Sequence, residues 1–251
     1  MNIESQTIRR PSARRAFATI YRLVLGQIWS RGRLLVVAAL SLTIVALGLV
    51  VRRAGETSER VEDGTQLVSS LGLGLVLPVI ALVFATATLG DIREDKTLVY
   101  LWLTPLAPWV VPVAAFAASV TIVLPAVLLP ILVAAALVTT GGGLLAGTAA
   151  AVVLGTLAYC AVFTTAGLLL RRTLVAGVLY VLIWEGFVAS AGAGVARFAI
   201  RAHTRSILSN ATDVEINLGD LSPTSAVVIL AAIIGGALLV GVRRYQTMTV
   251  D

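Results

Sequence analysis

Six apolar runs divide this chain, and each approaches or exceeds the roughly 20 residues a helix needs to cross a bilayer's hydrocarbon core. They cover about Leu34–Val51, Gln66–Gly90, Trp109–Thr139, Leu144–Leu170, Leu174–Phe198 and Ala226–Val242. In lipid the backbone must satisfy its own donors and acceptors, so such runs fold as helices. Composition agrees: 58% of the 251 residues are hydrophobic and 13% are charged, about half the charged share of a soluble domain. The expected fold is an all-α integral membrane domain of six transmembrane helices over residues 34–242. It is flanked by an N-terminal segment 1–33 and a tail 243–251, with no room for a further soluble domain. The first run starts only near Leu34, behind a basic segment, so the first span is expected to serve as the membrane address in place of a cleaved signal.

Orientation follows from the basic residues. With six spans, one side holds Arg9, Arg10, Arg14, Arg15, Arg22, Arg31, Arg33, Arg93, Lys96, Arg171, Arg172, Arg243 and Arg244. The other holds Arg52, Arg53, Arg60, Arg197, Arg201 and Arg205. The excess places both termini and the second-to-third loop in the cytoplasm of a multi-pass cell-membrane protein. The net charge of +6 then reports topology and contact with anionic lipid, not nucleic-acid binding. Ahead of the first span, Phe17, Ile20, Tyr21, Val24 and Ile28 recur at helical spacing, as in an amphipathic helix lying in the interface; the plainer reading is a basic juxtamembrane segment. The third run carries Pro112, Pro125 and Pro130, which suits either one tilted, kinked helix or two half-helices. Small residues such as Gly72, Gly74, Gly147, Gly155, Gly186, Gly235 and Gly236 are expected to serve helix packing, with some on a dimer seam.

Between the second and third runs lies a different kind of segment. Asp91, Arg93, Glu94, Asp95 and Lys96 are followed by Leu98, Leu101 and Trp102 at helical spacing, until Pro105 and Pro108 stop the pattern. Asp95 can cap this short helix and Glu94 sits at its positive end. A helix of that kind, parallel to the membrane with its charges turned to the cytoplasm, suits contact with a soluble partner. A solvated loop with an interfacial Trp and Tyr is the plainer alternative.

Thr97-Leu-Val-Tyr-Leu-Trp-Leu-Thr-Pro, behind an acidic patch and ahead of Trp109, resembles the signature loop of type-2 ABC transporter permeases. Lys96 stands where that family commonly has Gly, and Pro108 stands near a usual basic residue. The wider layout is also similar over nearly the whole chain: an interfacial helix, six spans, cytoplasmic termini and a larger last outer loop. The resemblance implies a permease subunit of an exporter, paired with a second copy or a related permease to make twelve helices. Each subunit would rest on a separate cytoplasmic ATPase chain through Arg93, Glu94, Asp95, Lys96, Thr97, Tyr100, Leu101 and Trp102. ATP and Mg would belong to that partner, and this chain would bind no cofactor. The chain has no Gly-x-x-x-x-Gly-Lys phosphate loop, and Lys96 is its only lysine, so it is not expected to be an enzyme by itself.

Glu185, about eleven residues into the fifth run, is the one acid inside a span. An ionisable group there is costly and should face a bundle interior or a wet cavity. Burial disfavours its charged form unless an Arg or a donor from another helix meets it. It is expected either to line a pathway at the dimer seam with Tyr180, Trp184 and Phe187, or to be a structural carboxyl bonded to Thr148, Thr156, Thr164 or Thr165. Those aromatics favour an amphipathic or hydrophobic substrate. The alternatives in other classes are an ion- or proton-coupled secondary carrier using Glu185, and a non-transporting membrane scaffold. One His and one Cys in different regions cannot build the usual metal or nucleophile sites. His203 is expected at the surface of an outer segment, about Ala199–Ser225, that holds a short re-entrant or surface helix.

Overall fold

The computed structural model describes residues 12–54, 59–94, 107–170, 172–187, 198–216 and 222–247, without the side chains of residues 93, 94 and 187. These residues are helical throughout, joined by short turns. We number the elements α1 (Ala13–Ile28), α2 (Arg31–Ala54), α3 (Arg60–Leu67), a π-helical stretch π1 (Val68–Val76), α4 (Leu77–Glu94), α5 (Val110–Val138) and α6 (Leu144–Leu169). Then come α7 (Thr173–Leu179), a second π-helical stretch π2 (Tyr180–Phe187), α8 (Ile200–Thr212) and α9 (Pro223–Gln246). Among the described residues five helices are long and apolar enough to cross a membrane: α2, α3–π1–α4 as one 33-residue helix over Arg60–Ile92, α5, α6 and α9. The chain is an α-helical membrane protein.

Two of these helices form the centre. The Arg60–Ile92 helix and α6 are each 67% buried along their most apolar window, against 11% for α2 and 17% for α9. Small residues explain the closeness of the central pair: a Cβ added at Gly167 of α6 would lie 3.1 Å from the backbone nitrogen of Gly90. The peripheral α2 crosses α5 at Gly48, whose added Cβ would lie 2.9 Å from the Ala134 carbonyl. Lipid offers no hydrophobic drive for helix association, so such backbone approaches supply the packing. α5 is one continuous helix with Pro125 and Pro130 inside it, which favours the single-helix reading of the third run.

The fifth run is described only in part: an apolar helix covers Thr173–Gly186, and residues 188–197 lie outside the described residues. The second run starts earlier than expected, at Arg60.

α1 buries Ala16, Ile20, Val24 and Ile28, one residue per turn, against the body of the protein. Phe17 and Tyr21 stack on each other at the edge of that face, and the Tyr21 hydroxyl meets Thr121 Oγ1 of α5 at 3.0 Å. At the elbow into α2, Arg33 ties three elements together. Its guanidinium donates to the Ile28 carbonyl at 3.0 Å and pairs with the Asp91 carboxylate of α4 at 2.5 Å. The charged residues Asp91–Glu94 are helical and continue α4, and the residues expected to form the next helix lie outside the described ones. Asp91 is 41% exposed, so the ion pair alone contributes up to about 1 kcal/mol. Arg33→Ala is expected to lower the melting temperature more than Asp91→Asn does, because it also strips the Ile28 carbonyl of a partner. Equal effects in a thermal melt would contradict this.

Candidate functional site

The site is built where α8 lies against α6. Three glycines on α6 and its entry turn open the groove. An added Cβ would strike the Ala211 carbonyl from Gly143, come within 2.6 Å of Ala211 Cβ from Gly147, and within 2.8 Å of Thr204 Cγ2 from Gly155. Gly143, Gly147, Ala151 and Gly155 recur every four residues and so share one face. They serve packing inside this chain. The contacts also give the direction of α8. Its C-terminal end sits at the Leu144 end of α6, and Thr204 sits opposite Gly155, eleven residues further along. The N-terminus of α8 therefore lies about 20 Å down α6, near the middle of that helix's length. α8 is a largely buried helix: Ile200, Ala202, His203, Thr204, Ser206, Ile207, Leu208 and Thr212 are buried, and Asp213 in the left-handed region ends it.

A helix that starts in a protein interior leaves N–H groups without intrahelical partners. The residue before α8, Ala199, has no side chain able to cap it. Glu185 supplies the cap. Its carboxylate accepts from the Ile200 N–H and the Arg201 N–H, both at 3.1 Å, and from the Tyr180 hydroxyl at 3.0 Å. All three neighbours donate, and negative charge at a helix N-terminus is favourable. Glu185 is 1% exposed. The local π-helical winding of π2 carries both Tyr180 and Glu185, and such stretches are common at functional sites.

Around this carboxylate lies a polar cluster drawn from four elements. The Tyr159 hydroxyl of α6 is fully buried beside Glu185 and within electrostatic reach of Arg201. Elsewhere along α6, Thr148 and Thr156 bury hydroxyls without a partner among the described residues. On α8, Arg205 Nε donates to the Ser69 carbonyl of π1 at 3.0 Å. Gly74 of π1 makes room for both arginines: its added Cβ would lie 3.2 Å from an Arg205 terminal nitrogen and 3.8 Å from Arg201 Cδ.

Of the residues expected to line a pathway, Tyr180 and Glu185 meet directly, and Trp184 is half-buried beside them. The side chain of Phe187 is outside the described residues. Glu185 bonds none of the threonines weighed for it: Thr164 faces Ser119 at 3.5 Å, and Thr165 donates to the Ala237 carbonyl of α9 at 2.9 Å. His203, expected at the surface, is fully buried, because its segment packs against α6 as α8. Of the coupling residues, Arg93 and Glu94 are the last described residues of α4, while Asp95, Lys96, Thr97, Tyr100, Leu101 and Trp102 lie outside the described residues. Sequence reasoning missed Tyr159, Arg201 and Arg205 as site residues. The four-residue spacing of the two arginines was the available signal, but only a buried α8 gives it meaning. No protein-family model and no curated protein matches this chain.

Proposed function

We propose that this chain is the membrane subunit of an ATP-driven exporter, resembling type-2 ABC permeases, and that it borrows its motor from a separate ATPase chain. The observation that carries the reading is the segment from Asp91 to Trp109, a charged cluster followed by a short amphipathic stretch, set between two long apolar helices. Its first residue is clasped by Arg33 at the α1–α2 elbow, so a push on this segment would reach α1, α2 and α4 together. The absence of a phosphate loop from the chain agrees with a motor held elsewhere. A sixth crossing by the fifth run, cytoplasmic termini and a pair of permeases complete the proposed assembly. Alternation between inward and outward exposure would then re-pack the spans around α8.

Co-purification tests it. The tagged chain is expected to retain a soluble nucleotide-binding protein whose ATP hydrolysis is measurable in the complex. Charge reversal at Glu94 and Asp95, or Tyr100→Ala, is expected to cut its recovery about tenfold while the subunit stays folded. Transport that runs on an ion gradient, with no ATPase bound, would instead favour the carrier. Against that second reading, Glu185 is committed to the backbone of α8, and a carrier would be expected to carry acids on several spans.

A further inference from the structure

We infer that Arg201 and Arg205 form a recognition site for the phosphate group of an anionic amphiphile, in the groove between α8 and π1. Along α8 the half-exposed positions are Arg201, Arg205 and Ser209, four residues apart, while the intervening side chains are buried. One face of an otherwise buried helix is therefore left open, and that face is basic. Both arginine side chains converge on Gly74, whose added Cβ would lie 3.2 Å from an Arg205 terminal nitrogen and 3.8 Å from Arg201 Cδ. Among the described residues no carboxylate reaches ion-pair distance of either, since the one pair there joins Arg33 and Asp91. Glu185, the nearest acid, spends its oxygens on the N–H groups of α8 and on Tyr180.

Depth sharpens the point. Ser69 and Gly74, which face this arginine pair, lie three and eight residues into the apolar run that opens at Gln66, or about 5 and 12 Å from its start. Arginine at such depth is costly unless an anion or water compensates it. Gly74 keeps the wall low where the guanidiniums emerge. A planar guanidinium matches phosphate oxygens in a two-pronged fork, and two of them one turn apart can hold one phosphate from two sides. The membrane supplies phosphate on amphiphilic carriers, and the neighbouring apolar surface of Leu75 would accept an acyl chain.

This inference does not depend on the ATPase reading. Native mass spectrometry of the purified chain with phosphatidic acid, and with diacylglycerol of the same acyl chains, tests it. Phosphatidic acid is expected to be retained and diacylglycerol lost. Arg201→Gln is expected to weaken phosphatidic acid binding about tenfold, and the Arg201→Gln, Arg205→Gln pair by more, with Arg201→Lys recovering part of the loss. Arg201 makes no side-chain hydrogen bond among the described residues, so its variant should fold even if loss of the Arg205–Ser69 bond does not allow the pair to. Equal retention of the two lipids by the native chain, or unchanged binding by Arg201→Gln, would overturn the site. Where an ATPase co-purifies, phosphatidic acid stimulation of hydrolysis that Arg201→Gln abolishes marks the phosphate as that of a transported molecule. Binding without stimulation marks it as that of a resident lipid; both outcomes keep the site.

Discussion

Glu185→Ala is expected to destabilise the protein by about 3–5 kcal/mol and to free the N-terminus of α8. The carboxylate satisfies two backbone N–H groups and one hydroxyl in a buried setting. Leaving a buried donor without its partner costs about 1–3 kcal/mol, and loss of the charge at the helix N-terminus adds up to about 2 kcal/mol. Glu185→Gln should cost less, about 1–3 kcal/mol. Its amide oxygen can keep Ile200 and Tyr180, but its NH2 would face the Arg201 N–H, donor against donor. Glu185→Asp keeps the charge and loses the reach of one methylene, so it should cost less than Glu185→Gln only if charge outweighs geometry. Thermal unfolding in detergent gives the ranking, and amide hydrogen exchange at Ile200 and Arg201 locates it. An alanine variant that melts like the native chain, with those amides still protected, would show that the cap is dispensable.

That prediction changes how transport by Glu185 variants should be read. A charge-dependent role in the pathway predicts loss of transport in Glu185→Gln at unchanged stability. A capping role predicts that transport and the order of α8 decline together. Measuring both on the same preparation separates the two.

The outcome also shows why sequence went only so far. Hydropathy placed five of the six runs within a few residues of their helices, because a span must be both apolar and helical, and length alone decides it. The fifth run resisted. Leu174–Phe198 reads as one apolar stretch, yet Ile200, directly after it, has its N–H capped from Glu185, fifteen residues upstream. Neither periodicity nor composition carries that return. The segment Ala199–Ser225 mixes Arg201, His203 and Arg205 with Ile200, Ile207 and Leu208, which looks like a surface helix by residue type. It is buried because α6 offers it a glycine groove, and the groove was legible only as scattered small residues. The candidate site was half visible for the same reason. An acid in an apolar run announces itself, whereas Tyr159, twenty-six residues away on another helix, joins it only through the packing of α6 against π2 and α8.

The glycine groove yields the second large effect. Gly143→Ala is expected to cost about 3 kcal/mol or more, and Gly147→Leu at least as much, with α8 displaced in both. Gly143 has φ +71°, where an L-residue loses about 1–2 kcal/mol, and its new Cβ would meet the Ala211 carbonyl head-on. That oxygen belongs to the backbone of α8, so no side-chain rotation relieves it. Gly147 is in ordinary helix, and its penalty is purely one of space: a Cβ already sits 2.6 Å from Ala211 Cβ, before the rest of a leucine is added. Overpacking a close-packed interior typically costs about 1–3 kcal/mol, and more when backbone must move. Gly235→Ala on α9 is the control. Nothing lies within 4 Å of its Cβ position, and alanine favours a helix over glycine by about 1 kcal/mol, so stability should hold or rise. Thermal melts of the three variants, with cysteine accessibility at an engineered Ser209→Cys on the open face of α8, provide the readout. Gly147→Leu melting like Gly235→Ala would mean that α8 does not occupy the groove, and with it would fall the depth assigned to Glu185 and the arginine pair.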